Sequence, residues 1–442
     1  MNSRKASRRS FLKRSTAALG AIAAPNIITT GALAGAGRKG ANDRVNIAYI
    51  AVGRRARQLM QVPEDSRVVA YADVNRARLD EMKQRNKEAK VYQDYREMLA
   101  SPDIDGVIVA SPDHWHALHV IHACAAGKDA YCEKPLSLTV REGRAMVDAA
   151  RTHGRVVQTG SQQRSMKNTQ DGIELLHEGK IGKVHTIHGA NYPSPWDCDL
   201  PEEPAPAEID WDMWCGQTQP RGYHKNLYIP RAGEYPDGRP LGWISYTPYS
   251  GGEMTGWGAH GLDVVLWASK ENGPVEVWIE PDAASGPPIF FGKPLKFTEA
   301  NAWPEGKDLL CPVSFKFAGG AVLHLDGKGP GGGAVFEGDG GSIVVDRGLH
   351  SLNPTPGEQD EKLRGPDATK EHIQNWVDCI RSREKPRADV ETGHFAATIC
   401  HLGNIARWTK RKLQWDHVKE QFVNDAEANT YLQRAMRAPW TI

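Results

Sequence analysis

The chain has 442 residues, which is too long for one ordinary hydrophobic core, so we expect two domains with extensions. Charged residues make up 25% and hydrophobic residues 40% of the sequence, a composition typical of soluble globular proteins. Positions 1–35 hold six basic residues and no acid, which leaves 49 basic against 54 acidic residues in the remainder and excludes a nucleic-acid-binding surface.

The N-terminus carries an export pattern. Residues 7–13 read S-R-R-S-F-L-K, which matches the twin-arginine motif, and residues 17–34 are moderately apolar. Glycine and proline interrupt this stretch, which disfavours the alternative of a membrane-spanning or amphipathic helix. We expect residues 1–35 to be a signal, cleaved or retained as an anchor, that directs the folded protein through the twin-arginine machinery to the periplasm or beyond. This route suits a protein that holds its cofactor tightly.

Short apolar runs alternate with helical patterns between residues 44 and 165. We predict strands at 45–51, 67–72, 106–110, 129–132 and 156–159, and helices at 76–87, 116–126 and 140–152. Strands that alternate with helices at this spacing predict a parallel, doubly wound sheet of the Rossmann type. We therefore expect residues 44–165 to form a dinucleotide-binding domain.

The turn after the first predicted strand keeps part of the glycine-rich pattern that binds a pyrophosphate. Of the three glycines of G-x-G-x-x-G, which would fall on residues 51–56, only the middle one, Gly53, is present. That glycine lets the pyrophosphate of a cofactor approach the backbone. Arg54 and Arg55 follow it, and either guanidinium could meet a phosphate.

An acidic residue stands at the end of the second predicted strand. Asp73 lies twenty residues after Gly53, where a carboxylate can accept hydrogen bonds from the adenosine ribose and repel a 2′-phosphate. This placement predicts NAD rather than NADP, although Arg54 and Arg55 would suit the extra phosphate of NADP. The alternative is that Asp73 caps a helix that begins near Arg76.

From about residue 182 the pattern changes to strand-like runs separated by glycine and proline. We predict strands at 184–190, 275–279, 311–317, 321–325 and 342–345. These runs predict an α+β domain over residues 166–370 with a large, mostly antiparallel sheet. Helices would cover one face of that sheet, and the other face would meet substrate or a partner subunit.

The cysteines indicate neither a metal site nor a disulfide scaffold. The chain has seven of them, without any C-x-x-C pair, and their number is odd. We therefore expect no metal site and interpret the cysteines as free, mostly buried thiols.

Three further segments resemble the Gfo/Idh/MocA oxidoreductase family, whose members include glucose–fructose oxidoreductase and inositol dehydrogenase. Residues 111–116 read S-P-D-H-W-H, residues 133–135 read E-K-P, and residues 158–164 read Q-T-G-S-Q-Q-R. The resemblance runs from about residue 44 to 416 and implies C-terminal helices at 372–378 and 389–416 that pack back on the domains, with residues 371–442 forming these helices and a tail. The residues that it implies lie against the cofactor are Ser111, Pro112, His116, Glu133, Lys134 and Gln162.

The lysine of the E-K-P motif suits the oxidation of an alcohol, and the resemblance implies that Lys134 points into the active site. An ammonium near a sugar hydroxyl stabilises the alkoxide that develops as hydride leaves for the nicotinamide. The positive charge of the nicotinamide ring lowers the affinity of the amine for its proton, which helps Lys134 to join a proton relay. The alternative is a chance tripeptide in a surface turn.

Residues 251–263 resemble the family's G-G-x-x-x-D-x-G-x-H-x-x-D stretch. The resemblance implies that His260 is the catalytic acid/base, a role that suits an imidazole because its ordinary pKa lies near working pH. Asp263 shares a helical face with it and could orient the ring or contact substrate. Gly256 stands where the family has aspartate, which weakens the expected relay unless Glu253 or another acid substitutes. The alternative for His260 is a structural histidine at a helix start.

Aromatic and histidine residues in loop-like segments are candidates for substrate contact. Indole rings stack well on sugar rings, and residues 210–224 resemble a loop that exported members carry beside the pocket. The candidates are Trp196, Trp243, Tyr223, His224 and Asp263. For the tryptophans the alternative is core packing or a subunit contact.

Together these features predict an exported, homo-oligomeric NAD-dependent oxidoreductase that acts on a sugar, cyclitol or glycoside by hydride transfer. One alternative is a glycoside-processing enzyme in which a tightly held NAD oxidises the sugar transiently and is regenerated, so that the reaction is redox-neutral. Ala51 and Gly256 leave open a descendant that binds a sugar or cofactor without catalysis.

Overall fold

The computed structural model describes residues 44–197, 200–234, 240–280, 289–290, 293–294, 310–353 and 365–442. The predicted signal, residues 1–35, lies outside the described residues, as does Cys198. The described residues from 46 onward form one compact unit. Within the described ranges no helix combines the length and the apolar character needed to cross a bilayer.

Six short strands form the first sheet, in the order β3-β2-β1-β4-β5-β6. Their bounds are β1 Val45–Ile50, β2 Ser66–Ala72, β3 Lys90–Tyr92, β4 Gly106–Val109, β5 Asp129–Cys132 and β6 Val157–Thr159. The pairs β2–β3, β1–β4, β4–β5 and β5–β6 are parallel. Strands β4 and β5 are buried throughout, as expected for parallel strands covered on both faces. The order confirms the doubly wound sheet.

The helices of this half are α1 Arg54–Gln58, α2 Arg76–Arg85, α3 Tyr95–Leu99, α4 His116–Ala125 and α5 Val140–Thr152. Helix α2 begins after Asn75, whose side chain accepts a hydrogen bond from the backbone N–H of Arg78. The alternative that Asp73 caps this helix is therefore wrong, because Asn75 occupies the capping position. We did not predict α1, α3 or β3, which are each five residues or shorter.

The second sheet has nine strands, in the order β13-β12-β11-β7-β10-β9-β8-β14-β15. Their bounds are β7 Val184–Gly189, β8 Glu276–Ile279, β9 Val313–Lys316, β10 Val322–Leu325, β11 Ala334–Gly338, β12 Gly341–Asp346, β13 Leu349–Leu352, β14 Leu413–Asp416 and β15 Gln421–Phe422. The pair β7–β10 is parallel and the other neighbours are antiparallel. The mostly antiparallel sheet is therefore confirmed.

The second half also contains eight helices within the described residues. They are α6 Lys167–His177, α7 Trp211–Cys215, α8 Lys225–Tyr228, α9 Glu253–Gly256, α10 Gly258–Ser269, α11 Thr369–Ser382, α12 Val390–Thr409 and α13 Ala426–Thr430. Short 3₁₀ turns lie at Asp113–Trp115, Gln162–Ser165 and Trp243–Ser245. Two-residue strands lie at Trp196–Asp197, Gly233–Glu234, Pro240–Leu241, Tyr246–Thr247, Ile289–Phe290 and Lys293–Pro294.

The end of the chain corrects one expectation. We expected a helix to continue to residue 416, but α12 ends at Thr409 and β14 follows it. Leu413 and Trp415 are buried while Gln414 is exposed, so the side chains alternate with the period of two that is typical of a strand with one buried face. Val277 of β8 pairs with Leu413.

Helix α12 joins the hydrophobic cores of the two halves. Val390 and Ala397, near its start, pack in the core around the first sheet. Ile399 and Leu402, further along, pack in the core beneath the second sheet. This helix therefore fixes the two halves to one another, as the resemblance implied for the C-terminal helices.

Candidate functional site

A cavity of about 340 Å³ lies at the carboxyl ends of the parallel strands. In a doubly wound sheet these strand ends meet at one edge, which is where such folds bind ligands. The cavity brings together residues that are far apart in the chain, from Gly53 to Arg347. The predicted site residues that line it are Gly53, Arg54, Arg55, Asp73, Ser111, Pro112, His116, Glu133, Lys134, Gln162, Trp243 and His260.

The turn after β1 holds an alanine in a conformation that favours glycine. Ala51 has a φ of 67°, and its N–H donates to the carbonyl oxygen of Ala72 on β2 at 2.8 Å. Gly53, which precedes α1, has an ordinary φ of −70°. The first position of the glycine-rich pattern is thus the strained one in this chain.

Asp73 is held at the end of β2 by two backbone donors. Its carboxylate oxygens accept hydrogen bonds from the N–H of Val52 at 2.8 Å and of Asn75 at 2.9 Å. Nη1 of Arg78 lies 3.8 Å from Oδ2, and the guanidinium of Arg78 lies 4.8 Å from the centre of the Tyr228 ring. This end of the cavity therefore has a fixed carboxylate next to a cation.

Lys134 connects the two halves within the cavity. Its Nζ donates to the carbonyl oxygen of Gly256 at 2.9 Å, and the Lys134–Pro135 peptide bond is cis. Burial lowers the pKa of Lys134 to about 8, with the charge of Glu133 opposing the shift and that of Arg231 adding to it. The amine is therefore mostly protonated at neutral pH but loses its proton more readily than an ordinary lysine.

His260 lies in the first turn of α10 and is buried. Burial first, and then the charges of Lys134, Arg347 and Arg55, lower the pKa of His260 well below its ordinary value. The ring is therefore a neutral imidazole beside cations. The centres of the Trp257 and His260 rings lie 5.5 Å apart, and Trp257 also lines the cavity.

The S-P-D and E-K-P turns are joined by His116. Its Nδ1 lies 2.7 Å from the carbonyl oxygen of Pro135, and its Nε2 lies 3.0 Å from that of Ser111. Ser111 Oγ is 3.0 Å from Nδ1 of His119. His116 thus fixes the backbone on both sides of the cavity in addition to lining it.

Two polar residues of the cavity, Glu133 and Gln162, contact arginine side chains. Arg55 forms a 2.9 Å ion pair with the buried Glu133. The amide of Gln162 is satisfied when its nitrogen donates to the carbonyl oxygen of Gly160 at 2.6 Å and its oxygen accepts from Arg347 at 2.8 Å. Glu133 and Gln162 therefore position arginine side chains, while their predicted contacts with a cofactor stay predictions.

Four predicted substrate residues lie away from the cavity. Asp263 is buried and accepts hydrogen bonds from Nε and Nη2 of Arg164 at 2.9–3.0 Å, so it does not orient His260. Trp196 is buried against Tyr246, with ring centres 4.8 Å apart, in a core cluster. Trp196 is therefore packed in the core, as the alternative to substrate contact predicts.

The other two predicted substrate residues, Tyr223 and His224, lie in one packed loop. Tyr223 is buried edge-on against Trp211, with ring centres 5.0 Å apart. His224 caps α8 by accepting a hydrogen bond from the N–H of Asn226 at 3.0 Å, and its Nε2 lies 3.5 Å from Glu203. These contacts occupy both side chains, and neither side chain lines the cavity. That they contact substrate stays a prediction.

Sequence reasoning missed several lining residues, most of which lie outside the recognised motifs. Arg231 and Arg347 lie in connecting segments, and nothing local marks them as parts of a site. Trp214 lies in the loop, residues 210–224, that resembles a feature of exported family members, and Tyr228 lies just after it. Further lining residues that we did not predict are Arg78, Tyr95, Trp115, His119 and Ile244.

A segment of the second half, residues 208–231, covers the Asp73 end of the cavity; we call it the covering segment. Its backbone joins the first half through Arg76 N–H to Glu208 oxygen and Asp210 N–H to Val74 oxygen, both 2.9 Å. The indole N–H of Trp115 donates to the carbonyl oxygen of Trp214 at 2.9 Å. The covering segment is therefore hydrogen-bonded onto the cavity rather than lying loosely above it.

The C-terminal tail fastens the covering segment. Arg437 donates to the Oδ1 of Asp212 at 2.7 Å, to its carbonyl oxygen at 2.8 Å and to the carbonyl oxygen of Gly216. Trp440 packs edge-on against Trp115, with ring centres 5.0 Å apart. The tail thus holds the covering segment from outside.

Within the described residues no cysteine lines the cavity. The six cysteines of the described residues are unpaired and buried, which confirms the interpretation as free thiols for these six. Burial raises the pKa of the Cys124 thiol to about 12. In the described part of the chain no group of three or more His, Cys, Asp or Glu side chains is arranged to hold a metal ion.

The strand order and the ligand-sized cavity at the strand ends define a dinucleotide-binding Rossmann protein with a second α/β domain. The chain belongs to the Gfo/Idh/MocA oxidoreductase family. Residues 46–161 match the family's NAD-binding Rossmann fold, and residues 179–442 match its C-terminal alpha/beta domain.

Several relatives have named activities. An inositol 2-dehydrogenase of Agrobacterium fabrum is 40% identical over 147 residues, which are 32% of this chain and 43% of that relative. A myo-inositol 2-dehydrogenase of Thermotoga maritima is 30% identical over 171 residues, or 38% and 48% of the two chains. The chain thus spans less than half the length of these relatives.

Likeness of fold extends further than likeness of sequence. The crystal structure of an aldose-aldose oxidoreductase from Caulobacter crescentus, in complex with glycerol, matches with a TM-score of 0.56. The match covers 84% of this chain and 99% of that chain at 16% identity. At this identity the match shows a shared fold.

Proposed function

We propose that the protein is an NAD-dependent oxidoreductase that oxidises a carbinol of a sugar, cyclitol or glycoside. The observation that carries the proposal is the meeting of Lys134 and His260 in the same cavity as Gly53 and Asp73. The names of the relatives, which are inositol dehydrogenases, support a polyol as substrate.

The residues of the cavity fit NAD. Arg54 and Arg55 offer positive charge beside the turn at Gly53, which suits a pyrophosphate. Asp73 keeps lone pairs for the ribose hydroxyls beyond the two backbone N–H groups that it binds. When bound, NAD⁺ supplies the acceptor for the hydride of the carbinol.

The protein's own part is to hold the substrate and move its proton. Lys134, with its pKa lowered to about 8, can take the hydroxyl proton or stabilise the developing alkoxide. His260 is neutral and buried beside it, so it can accept a hydrogen bond from the same hydroxyl. The walls formed by Trp243 and Trp257 offer apolar faces for a sugar ring.

We propose NAD over NADP because Asp73 lines the cavity with a fixed carboxylate. A 2′-phosphate placed near that carboxylate would be repelled. Arg78, which lies beside Asp73, is the residue that would favour NADP instead.

A second candidate is a redox-neutral reaction with a cofactor that does not exchange, in which NAD first oxidises the sugar and is later regenerated. The covering segment supports it, because backbone hydrogen bonds and the tail residue Arg437 hold it over the cavity. A cofactor beneath such a cover would leave slowly.

Purified protein distinguishes these functions. The protein is denatured and released nucleotide is identified; intact protein is then incubated with sugars, cyclitols and glycosides while nicotinamide absorbance is followed. Net NADH formation supports the first candidate, and a changed sugar without net NADH supports the second. Absence of bound nucleotide, together with failure to load NAD or NADP, would contradict both and favour a non-catalytic sugar-binding role.

We also propose that the protein is exported through the twin-arginine pathway, on the strength of residues 7–13. The test fuses residues 1–35 to a reporter that is active only after export. Replacing Arg8 and Arg9 by lysine should stop export, and continued export would contradict the proposal.

We propose that the protein forms a homo-oligomer, on the basis of its resemblance to the family. Light scattering on the purified protein would test this proposal.

A further inference from the structure

A neighbouring side chain occupies the space beside position 256. A Cβ atom on Gly256 would lie 2.9 Å from Oε2 of Glu253, closer than real Cβ atoms approach an oxygen. Glu253 starts the same short helix, α9. Its carboxylate therefore fills the volume into which a side chain at position 256 would project.

Glu253 does not offer this carboxylate to a substrate. Its oxygens accept hydrogen bonds from Nε and Nη2 of Arg231 at 2.7 and 2.9 Å, and its side chain is 1% exposed. Of the pair, Arg231 is the residue that lines the cavity. The group presented at this position is therefore a guanidinium whose orientation a two-point ion pair fixes.

Other cations surround the same end of the cavity. Arg347 and Lys134 line it together with Arg231, next to the neutral His260. Arg347 also forms a 3.1 Å ion pair with Asp367, which does not line the cavity. Nζ of Lys134 bonds to the carbonyl oxygen of Gly256, whose missing Cβ would lie 3.8 Å from Nη2 of Arg231. Arg231 and Lys134 are thus close neighbours.

The lining acids at this end are engaged elsewhere. Glu133 is paired with Arg55 at 2.9 Å. Asp113 accepts a hydrogen bond from Ser250 at 2.6 Å, and burial raises the pKa of its carboxyl toward the neutral form. Arg55, Arg231 and Arg347 are each paired with an acid, and Lys134 adds a further positive charge, so this end of the cavity favours a negatively charged group on its ligand.

We propose that the substrate is a sugar acid whose carboxylate binds Arg231, with Arg347 on the same anionic group, while its carbinol lies against Lys134 and His260. A planar guanidinium matches the two oxygens of a carboxylate, and Lys134 then remains for the hydroxyl. Glu253 is a positioning residue that aims Arg231. The inference rests on the proposed function and narrows its substrate class.

Matched pairs of neutral sugars and uronic acids test the inference: glucose with glucuronate, and galactose with galacturonate. Binding to the NAD-loaded protein is measured by calorimetry, and kcat and KM are measured separately. We expect at least one uronate to bind about tenfold or more tighter than its neutral partner. Arg231→Gln should remove that preference, Arg231→Lys should keep part of it, and the distant Arg411→Gln should leave it intact.

Arg231→Gln alone leaves Glu253 buried without its partner, so the double variant Arg231→Gln/Glu253→Gln is included to keep a folded protein without either charge. It should also lose the preference for the acid. If neutral sugars bind as tightly as the acids in the unaltered protein, or if the double variant keeps the preference, the inference is overturned. Tighter binding of glucose 6-phosphate than of either uronate would likewise overturn the carboxylate assignment.

Failure of the inference differs from failure of the proposed function. Oxidation of neutral sugars without preference for acids would support the proposed oxidoreductase function and contradict only the proposed sugar-acid substrate. A protein that neither holds NAD nor changes any sugar would contradict the proposed function itself.

Discussion

Nζ of Lys134 donates a 2.9 Å hydrogen bond to the carbonyl oxygen of Gly256. The lysine comes from the turn after β5, and the glycine ends the short helix that precedes His260. This one contact joins the E-K-P turn of the first half to the histidine-bearing segment of the second. The position from which the family aspartate is absent therefore still takes part in the site, through its backbone.

Replacing Lys134 by methionine should reduce kcat by a factor on the order of a hundred or more, because loss of a positioned acid/base group typically costs that much. Cofactor content, measured by release on denaturation, should stay unchanged. In the unaltered enzyme kcat/KM should rise with pH and level off above about 8, as the amine with the lowered pKa loses its proton. That limb should vanish in the variant, and unchanged turnover would contradict the assigned role.

Replacing Ala51 by glycine should raise the free energy of unfolding by about 1 kcal/mol, because the residue at φ 67° would no longer carry a Cβ. Denaturant unfolding of the cofactor-free protein measures it. Gly53→Ala is the matched variant: its φ of −70° tolerates a Cβ, so stability should change little while affinity for NAD falls. A destabilised Ala51→Gly protein would show that the turn is not strained.

Replacing Asp73 by asparagine should shift cofactor preference toward NADP by about tenfold or more, since the repulsive charge is removed while Arg78 remains. Dissociation constants for NAD and NADP give the ratio. Adding Arg78→Gln to this variant should cancel the gain in NADP binding. If the single variant keeps the original ratio, Asp73 does not select the cofactor.

Replacing Arg437 by alanine should speed the release of NAD by about tenfold, because charge-assisted hydrogen bonds to Asp212 and the carbonyl oxygen of Gly216 are lost. Release is followed by the fluorescence of NADH after dilution. Arg411→Ala removes ion pairs with Asp425 and Glu427 far from the covering segment and serves as the control. Equal release rates in the two variants would show that the tail does not retain the cofactor.

Replacing Gly256 by aspartate should destabilise the protein by about 2–4 kcal/mol, because a second buried carboxylate would meet Glu253. The double variant Glu253→Ala/Gly256→Asp gives Arg231 a new acidic partner and should recover part of the loss. A double-mutant cycle on the free energies of unfolding measures the coupling. Additive effects would mean that the two positions do not share this space.

The order of elements in the first half could be read from the sequence because the apolar runs of buried parallel strands are continuous and local. The predicted strands end within a residue or two of β1, β2, β4, β5 and β6. Short elements such as β3 and α1 were missed, since three to five residues carry too little periodicity to be recognised. At the other end of the chain, β14 replaces the end of the helix expected to reach residue 416, because its pairing with β8 is a long-range contact that is not visible in the local sequence.

The motifs that surround the cavity were likewise visible, since each is a short run fixed by a turn: Gly53, Asp73, Ser111, Lys134 and His260 all line the cavity. Only the tertiary structure decided which loop residues join them. Arg231 lines the cavity because Glu253 holds it. In contrast, Trp196 packs in a core cluster and Asp263 forms an ion pair with Arg164. Partner choice between distant side chains depends on three-dimensional proximity, which no local pattern encodes.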